Sequence, residues 1–371
     1  MPYMSTTYYW RAVAVSSDGT TLAAAYDQGV WTSGDSGATW GQAYDAGMTY
    51  WSNLRDVAMS DDGSLMAVVE YSGALYTSSD HYSWNSPSSM SDDGAVTHDW
   101  QAIAMSADGG TIVAVAAEDY NYMGGGVYLS TDFGSTWSTV VFGGGASLNL
   151  VDVAVAGSGS RLSAVASGGQ VWISADAGTT WATEPPAGIT PAPTVPMAPA
   201  PTPAPSASPR AWSAIASSAD GARLAATVSS GSIYTSADSG ASWTEDATAG
   251  ARNWASIAMS ADGQRLAAVE GSIDLSYCDV YGSLWTSSDF GASWTEQAGL
   301  GSNCWRGVAM SGDGATVAAV VDQGSIWVST DYGSSWSETS DPDSNSMPYM
   351  STTYYWRAVA VSSDGTTLAA A

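Results

Sequence analysis

The stretch Ser33-Gly34-Asp35-Ser36-Gly37-Ala38-Thr39-Trp40 recurs along the chain, and every other repeated feature can be measured from it. Six later copies end at Trp84, Trp137, Trp181, Trp243, Trp294 and Trp336. The pattern Ser-x-Asp-x-Gly-x-Ser/Thr-Trp predicts a β-hairpin, because the aspartate can accept N–H groups of its own turn, the glycine can take a backbone conformation that a Cβ penalises, and the tryptophan anchors the outgoing strand. The second copy, at residues 78–84, is one residue short and lacks the glycine, so its turn geometry is left open.

The segments around this motif predict four short β-strands in each repeat unit, which we name A to D. Strand A is an alternating apolar segment such as Trp10-Arg11-Ala12-Val13-Ala14-Val15. A short turn, Ser-x-Asp-Gly in six units, leads to a small apolar strand B, and strand C carries an aromatic pair just before the repeated motif. Four antiparallel strands repeated seven times predict an all-β fold, a seven-bladed β-propeller over residues 1–346.

The repeated motif resembles the Asp-box, or BNR, repeat of sialidases, sortilin-like receptors and photosystem II assembly-factor-like propellers. A sialidase also needs three arginines from different blades and a tyrosine–glutamate pair. Here the arginines fall at repeat positions, Arg11, Arg55, Arg306 and Arg357 after the first residue of strand A and Arg161, Arg223 and Arg265 before strand B. Repeated placement favours a structural role, so the resemblance implies the fold and not the sialidase catalytic set.

The 18 tryptophans follow the same period, which favours blade packing over a sugar-stacking platform. Seven close the Asp boxes and four lie in strand C. Six open strand A, at Trp10, Trp100, Trp212, Trp254, Trp305 and Trp356, and only Trp51 has no repeat position.

The formal charge of -27 comes from 36 acidic residues against nine arginines and no lysine. This balance argues against nucleic acid and anionic membrane surfaces as partners. Thirteen of the acids, however, have a structural explanation: seven are in the Asp boxes and six are in Asp-Gly turns, at Asp18, Asp62, Asp108, Asp220, Asp262 and Asp313. The sequence has no stretch long enough to span a bilayer and no basic-then-apolar segment at residue 1.

Residues 347–371 repeat residues 1–25 without a change. They encode strands A and B of the first blade a second time. Three interpretations stay open: a latch that closes the first blade, strand exchange with a neighbouring chain, or the start of the next unit of a tandem array.

Length variation falls on one face of the predicted propeller, which we call the variable face; it carries the B–C and D–A connections. Its longest insertion, residues 185–209, is rich in proline, alanine, threonine and serine and predicts an extended polyproline II segment. It is interpreted either as a tolerated insertion or as an O-glycosylated spine with candidate sites at Thr190, Thr194, Thr202, Ser206 and Ser208.

The two cysteines, Cys278 and Cys304, lie in connections on this face between the sixth and seventh blades. We predict that they form a disulfide, which indicates an oxidising, extracellular or cell-surface location.

Several acids at or just after the end of strand B could surround the mouth of the central channel: Asp27, Glu70, Glu118, Asp119, Glu270 and Asp322. Two of them at a suitable separation would suit a glycoside hydrolase. They could also bind Ca²⁺ or a basic protein, or serve only as solvated loop acids. No recognisable Ca²⁺ loop, metal-ligand cluster or cysteine–histidine pair is visible, and the only histidines are His81 and His98. No cofactor or resident metal is therefore expected.

The sequence favours a non-catalytic extracellular propeller with a structural or interaction role, such as a repeating unit of a glycosylated fibre that associates with itself or with tandem neighbours. The alternatives are a glycan-binding, lectin-like module and a glycoside hydrolase that uses the channel-mouth carboxylates.

Overall fold

The computed structural model describes residues 9–27, 29–43, 53–86, 98–117, 125–140, 149–183, 210–246, 248–271, 278, 280–339 and 355–371. Within these residues the regular structure consists of β-strands and a single 3₁₀ turn, Ala298–Leu300. The predicted all-β class is confirmed, and the strands pair antiparallel in chain order within each unit.

Six of the seven units form four-stranded blades. Blade one contains β1 (Trp10–Val15), β2 (Leu22–Tyr26), β3 (Gly29–Ser33) and β4 (Gly41–Ala43). Blade three contains β8 (Asp99–Met105), β9 (Ile112–Ala117), β10 (Gly126–Ser130) and β11 (Ser138–Val140). Blade four contains β12 (Leu150–Val155), β13 (Leu162–Gly169), β14 (Val171–Ser174) and β15 (Ala182–Thr183).

Blade five contains β16 (Arg210–Ser217), β17 (Leu224–Gly231), β18 (Ile233–Ser236) and β19 (Thr244–Asp246). Blade six contains β20 (Arg252–Met259), β21 (Leu266–Glu270), β22 (Leu284–Ser287) and β23 (Thr295–Glu296). Blade seven contains β24 (Trp305–Met310), β25 (Val317–Val321), β26 (Ile326–Ser329) and β27 (Ser337–Glu338).

Blade two differs from the predicted four strands. It contains β5 (Leu54–Met59), β6 (Met66–Glu70) and β7 (Leu75–Ser78), and the place of strand D is taken by an isolated bridge between Thr77 and Asn85. The cause is the short Asp box, in which one left-handed residue, His81 with φ 69°, replaces the usual pair. Asp80 still accepts the N–H groups of Tyr82 and Ser83 at 2.9 and 2.6 Å.

The complete Asp boxes share one hydrogen-bond pattern, which the first box illustrates. Asp35 Oδ1 accepts the N–H of Thr39 at 2.7 Å and the hydroxyl of Ser33 at 2.8 Å. Ser36 and Gly37 both have positive φ, 56° and 86°, so the second position requires glycine. This geometry confirms the predicted roles of the aspartate and the glycine.

The A–B turns are joined to one another by backbone hydrogen bonds that run around the whole ring. The second residue of each turn donates its backbone N–H to the backbone carbonyl oxygen of the second residue in the next turn, at 2.8–3.0 Å. The series runs through Ser17, Asp61, Ala107, Gly157, Ala219, Ala261, Gly312 and Ser363, and Ser363 donates back to Ser17. The ring therefore closes through eight turns.

The eighth turn belongs to the duplicated segment. Residues 355–371 form a two-stranded sheet of β28 (Val359–Val361) and β29 (Leu368–Ala370). β28 contacts β24 of blade seven on one side and β1 of blade one on the other. The predicted count of seven blades is not confirmed. The described strands close as a ring of eight positions, because the second copy of the A–B hairpin inserts beside the first copy and does not replace it. We call β28 and β29 the half-blade.

Tryptophan side chains at the start of strand A pack between neighbouring blades, as predicted. Trp100, Trp254 and Trp305 are fully buried, and each donates its indole N–H to a backbone carbonyl of the preceding blade at 3.0 Å. Blades one to seven form six consecutive interfaces, and a cluster of buried apolar residues fills each of them. These interfaces hold the ring together by apolar burial.

Polar side chains in the even-numbered blades bridge the innermost strands. Asp152 Oδ2 accepts the N–H of Ile215 in the next blade at 2.8 Å, and Ser256 Oγ accepts the corresponding N–H of Val308 at 3.4 Å. Asp56 makes the same bond to Ile103 at 3.0 Å. Desolvation by burial raises the pKa of Asp56 to about 6 and that of Asp152 to about 7, although backbone N–H donors act in the opposite direction.

Raising the pH is expected to destabilise the protein through Asp152. Because its pKa rises from 3.8 to about 7 on folding, the stability that it contributes is fully present below pH 4 and is lost as the pH rises to 7. The slope is at most about 1.4 kcal/mol per pH unit. The Asp152→Ser variant, which copies Ser256 of blade six, should flatten the fall of Tm between pH 4 and 7. The Asp262→Ser variant of an exposed turn should leave that slope unchanged.

Inserting one glycine between His81 and Tyr82 restores the full Asp-box pattern in blade two. We expect the insertion to raise Tm by about 2 °C and to create a fourth strand, because it supplies the second left-handed position that the other boxes have. Deletion of Gly134 from the intact third box is the matched control and should lower Tm. A fall in Tm on glycine insertion would contradict this account of the short box.

Candidate functional site

Four arginines meet on neighbouring positions of the ring, at the variable face. Arg306, Arg11 and Arg55 are the second residues of β24, β1 and β5, and Arg357 holds the equivalent place ahead of β28. They come from positions seven, eight, one and two, which are consecutive around the ring. We call this set the arginine arc.

A β-bulge places three of these side chains, those of Arg11, Arg55 and Arg306. The register of β1 on β2 shifts between Trp10 and Ala12, so that Arg11 is the extra residue, and the same shift occurs around Arg55 and Arg306. Bulges commonly re-aim a side chain at the edge of a sheet. The second position of strand A, for which repeated placement favoured a structural role, therefore also brings four guanidinium groups together.

Two carboxylates serve the four arginines. Arg11 Nε lies 2.8 Å from Asp27, and Arg306 Nη2 lies 2.6 Å from Asp322. Arg357 Nη1 approaches the same Asp322 at 3.6 Å. Among the described residues, the four guanidinium groups of the arc therefore have two ion-paired carboxylates, within a chain of net charge -27.

The electrostatics of Arg55 and Arg357 reflect this crowding of positive charge. Arg55 donates to the side-chain oxygen of Gln101 at 3.2 Å. Burial lowers the pKa of Arg55 first, and the nearby Arg11 lowers it further. Burial likewise lowers the pKa of Arg357, with Asp322 acting against it and Arg306 adding to it. Since arginine keeps its proton at neutral pH, the result is an arc of charged donors that repel one another.

Exposed tyrosines flank the arc on the same face. Tyr9 precedes β1, Tyr355 lies ahead of the half-blade and Tyr71 follows β6, and their exposed fractions are 60%, 55% and 44%. The guanidinium of Arg357 lies 5.9 Å from the ring centre of Tyr355. Tyrosine and arginine are the side chains most enriched at protein interfaces, so this sector has the composition of a docking surface.

The acids predicted at the channel mouth separate into two groups. Asp27 and Asp322 belong to the arginine arc. Glu70 and Glu270, by contrast, are buried within blades two and six: Glu70 accepts the N–H of Ala74 at 3.2 Å, and Glu270 accepts the indole N–H of Trp285 at 2.9 Å. Glu118 and Asp119 lie outside the described residues.

The carboxylates of Glu70 and Glu270 therefore serve blade packing. Arg252 stacks over the ring of Trp285 at 4.3 Å and donates to Glu270 at 2.9 Å, which completes a local network inside blade six. Within the described ranges no group of three or more histidine, cysteine, aspartate or glutamate side chains could hold a metal ion. The suggestion of Ca²⁺ binding stays a prediction.

The predicted disulfide between Cys278 and Cys304 is present and joins the B–C connection of blade six to the residue before β24. The five candidate glycosylation sites lie outside the described residues. A search of the described part of the chain finds no helix both long and apolar enough to cross a membrane.

His98 is a residue whose environment the sequence did not reveal. It is buried, its Nδ1 lies 3.3 Å from the hydroxyl of Tyr128, and its ring meets Trp100 edge to face. The sequence placed it in a loop, and the only available signal was its position two residues before a strand-A tryptophan. It is a packing residue between blades two and three.

Comparison with known proteins supports the fold at low sequence identity. A family model described as the BNR-Asp box repeat matches residues 284–297. No curated protein matches the chain.

Among solved structures, YCF48 from Cyanidioschyzon merolae is 15% identical, with a TM-score of 0.57 over 90% of this chain and 98% of that one. YCF48 bound to a D1 peptide is 14% identical, with the same TM-score of 0.57 over 88% of this chain and 95% of that one.

An ancestral GH74 enzyme is 16% identical, with a TM-score of 0.51 over 74% of this chain and 36% of that one. At these identities the structural neighbours show a shared fold and do not distinguish an enzyme from a non-enzymatic propeller. The Asp-box hydrogen bonds, the family-model match at residues 284–297 and the structural neighbours agree on a β-propeller fold that contains Asp-box repeats.

Proposed function

We propose that this propeller is a non-catalytic protein-interaction module that binds an acidic peptide segment at the arginine arc. The observation that carries the proposal is the gathering of four arginines on consecutive ring positions, against two ion-paired carboxylates among the described residues. Arg306 is buried against Asp322, so Arg11, Arg55 and Arg357 are the members that a peptide can reach. A guanidinium group binds carboxylates in bidentate geometry and loses little hydration in doing so.

Charge distribution supports an acidic partner at this place. The chain as a whole is strongly acidic, so a local excess of guanidinium groups is a departure from the surrounding surface. At physiological ionic strength charges farther away than about 8 Å are largely screened, so the arc governs what binds there. The basic partner and the glycan expected from overall composition stay predictions.

The flanking tyrosines support a peptide over a small anion. Tyr9, Tyr71 and Tyr355 expose rings on either side of the arc. Such rings offer large contact area at low entropic cost, which a peptide backbone and its side chains can use. The structural neighbour YCF48, which has been solved with a D1 peptide, gives a precedent for peptide binding by this fold.

A non-catalytic role is favoured by the state of the candidate acids. Glu70 and Glu270 are engaged inside separate blades, and Asp27 and Asp322 are paired with arginines. A glycoside hydrolase needs two carboxyl groups on either side of the scissile bond. The four described candidates are committed to packing and ion pairs.

The disulfide supports an extracellular or cell-surface location as part of the proposal. A structural role as one unit of a glycosylated fibre is compatible with the same location. Intact mass of the native protein tests it, since attached sugars and tandem linkage would both add mass.

The proposed function predicts salt-dependent binding of an acidic peptide. The probe is a fluorescent hexaglutamate peptide, compared with hexaglutamine in a fluorescence anisotropy titration. We expect only the acidic peptide to bind at 0.15 M salt. The Arg11→Gln/Arg55→Gln double variant should weaken it by roughly 100-fold or more, since it removes two charged hydrogen bonds that contribute about 1.5 kcal/mol or more each.

The matched control is Arg265→Gln. Arg265 stacks over Tyr332 at 3.8 Å on the opposite face, and its loss should leave binding unchanged. Circular dichroism and Tm establish that each variant is folded. Equal binding of the neutral peptide, or an unchanged affinity in the double variant, would refute the assignment.

A further inference from the structure

An arginine directly before strand B recurs in three consecutive blades, on the face opposite the variable face. These arginines are Arg161, Arg223 and Arg265, ahead of β13, β17 and β21. Each packs its aliphatic stem on the glycine in the A–B turn of the next blade, at Gly221, Gly263 and Gly314. The three guanidinium groups therefore lie at equivalent places, each at the interface with the following blade.

An aromatic side chain from the next Asp box covers two of these arginines. The guanidinium carbon of Arg223 lies 4.8 Å from the ring centre of Phe290, and that of Arg265 lies 3.8 Å from the ring centre of Tyr332. Both rings belong to left-handed residues of the box, with φ of 58° and 63°. A cation over the face of an aromatic ring is a favourable contact.

The third arginine, Arg161, meets a small residue instead of a ring. Ser239 has the same box position in blade five, with φ 60°, and its hydroxyl accepts an N–H of Arg161. At the preceding interface the box residue is also small, Ala177, but the residue ahead of strand B is Thr111. Among the described interfaces of blades three to seven, the one between blades four and five alone combines an arginine with a small box residue.

A groove lies at this interface. Within the part of the chain that the structure describes, its volume is about 360 Å³, whereas an apolar cavity of roughly 150 Å³ is large enough to bind benzene. We call it the blade-four groove, and its lining includes Arg161, Ile173, Ala175, Ala182, Ser239 and Ala241.

The groove is more apolar than its counterparts. Ile173 contacts the Asp-box glycine of the next blade, at a position that threonine holds in blades five and six. A planar guanidinium donates hydrogen bonds from its edge and stacks through its face, so the bond from Arg161 to Ser239 is compatible with a ring stacked on Arg161. The groove therefore has the volume and the lining for one aromatic ring.

The surroundings of the groove favour a ring carried by a polypeptide. The exposed side chains of Thr180, Thr183 and Asp238 line its rim and offer hydrogen-bond partners to a peptide backbone. At the next two interfaces the stacked rings are likewise carried on a turn of a chain. Residues 184–209, which follow the groove in sequence, contain no aromatic residue.

From these observations we propose that the blade-four groove is a second interaction site, which accepts an aromatic side chain from an exposed turn of a partner polypeptide. The ring stacks on Arg161 and packs against Ile173, as Phe290 stacks on Arg223 in the following blade. The rim residues bind the backbone on either side of the ring. This site lies on the opposite face from the arginine arc and does not depend on it.

The test uses a blocked pentapeptide with para-fluorophenylalanine between glycines, titrated with the protein and observed by fluorine NMR. We expect a saturable shift with one peptide per protein, and an unlabelled leucine peptide should fail to displace the probe. Free para-fluorotoluene should bind roughly 10-fold more weakly, because it lacks the backbone hydrogen bonds. Absence of a saturable shift would overturn the proposal, and equal affinity of the free ring would overturn the assignment to a polypeptide.

Filling the groove from within locates the binding. Ser239→Phe copies Phe290 at the same left-handed position, and it should abolish probe binding and raise Tm by about 2 °C, because the new ring covers Arg161. The Ile173→Thr/Ser239→Phe variant copies the whole following interface, so the test holds if the ring needs more room. Undiminished probe binding to either folded variant would overturn the proposal.

A pair of matched arginine variants tests the stacking. Arg161→Met keeps an apolar stem and removes the cation, so it should weaken probe binding by about 3-fold to 10-fold. Arg223→Met is the control, because Phe290 already covers that arginine, and it should leave binding unchanged. The Arg11→Gln/Arg55→Gln variant should also bind the probe normally, which separates this site from the arc. Equal affinities of the Arg161→Met and Arg223→Met variants would contradict stacking on Arg161.

Discussion

The structure depends on a closed cycle of backbone hydrogen bonds between neighbouring A–B turns. Each turn donates one N–H to the next, and the cycle closes when Ser363 donates to Ser17 at 3.0 Å. Buried backbone groups must be paired, so a cycle with one member missing would leave a donor and an acceptor without partners at the seam. The duplicated segment supplies that member.

The requirement for closure explains features that seem unrelated in the sequence. The Asp boxes stiffen the outer hairpins, and the strand-A tryptophans fill the spaces between blades. A bulge after the first residue of strand A lets the strand bend at the variable face, and the residue at that bulge is an arginine in blades seven, one and two. Arg357 holds the equivalent sequence position between blades seven and one. A constraint of ring geometry thereby creates a local basic surface on an acidic protein.

Much of the fold was predictable because its determinants are local. The Asp-box aspartate and glycine act within one turn, so the pattern around Asp35 and Gly37 carries the hairpin by itself. The disulfide was predictable because both cysteines lie in neighbouring connections of one face. The number of ring positions was not, since residues 1–25 and 347–371 are identical in sequence and only the assembled ring selects their places.

The candidate site was harder to predict than the fold. Glu70 and Glu270 are at the expected strand end, but each bonds to a donor of its own blade: Ala74, just before strand C, for Glu70 and Trp285, in strand C, for Glu270. The arginine arc was visible as a repeat position, but its net charge depends on which acids lie beside it, and Asp322 serves two arginines. Such long-range pairing leaves no trace in local spacing.

Amide hydrogen exchange at the A–B turns tests the central claim most directly. If the half-blade closes the ring, the amides of Gly312 and Ser363, which donate to Ser363 and Ser17, should be protected to a degree comparable with those of Asp61 and Ala107. If Ser363 and Gly312 exchange at the rate of unstructured amides while Asp61 and Ala107 stay protected, the duplicated hairpin is not part of the ring and the account is wrong.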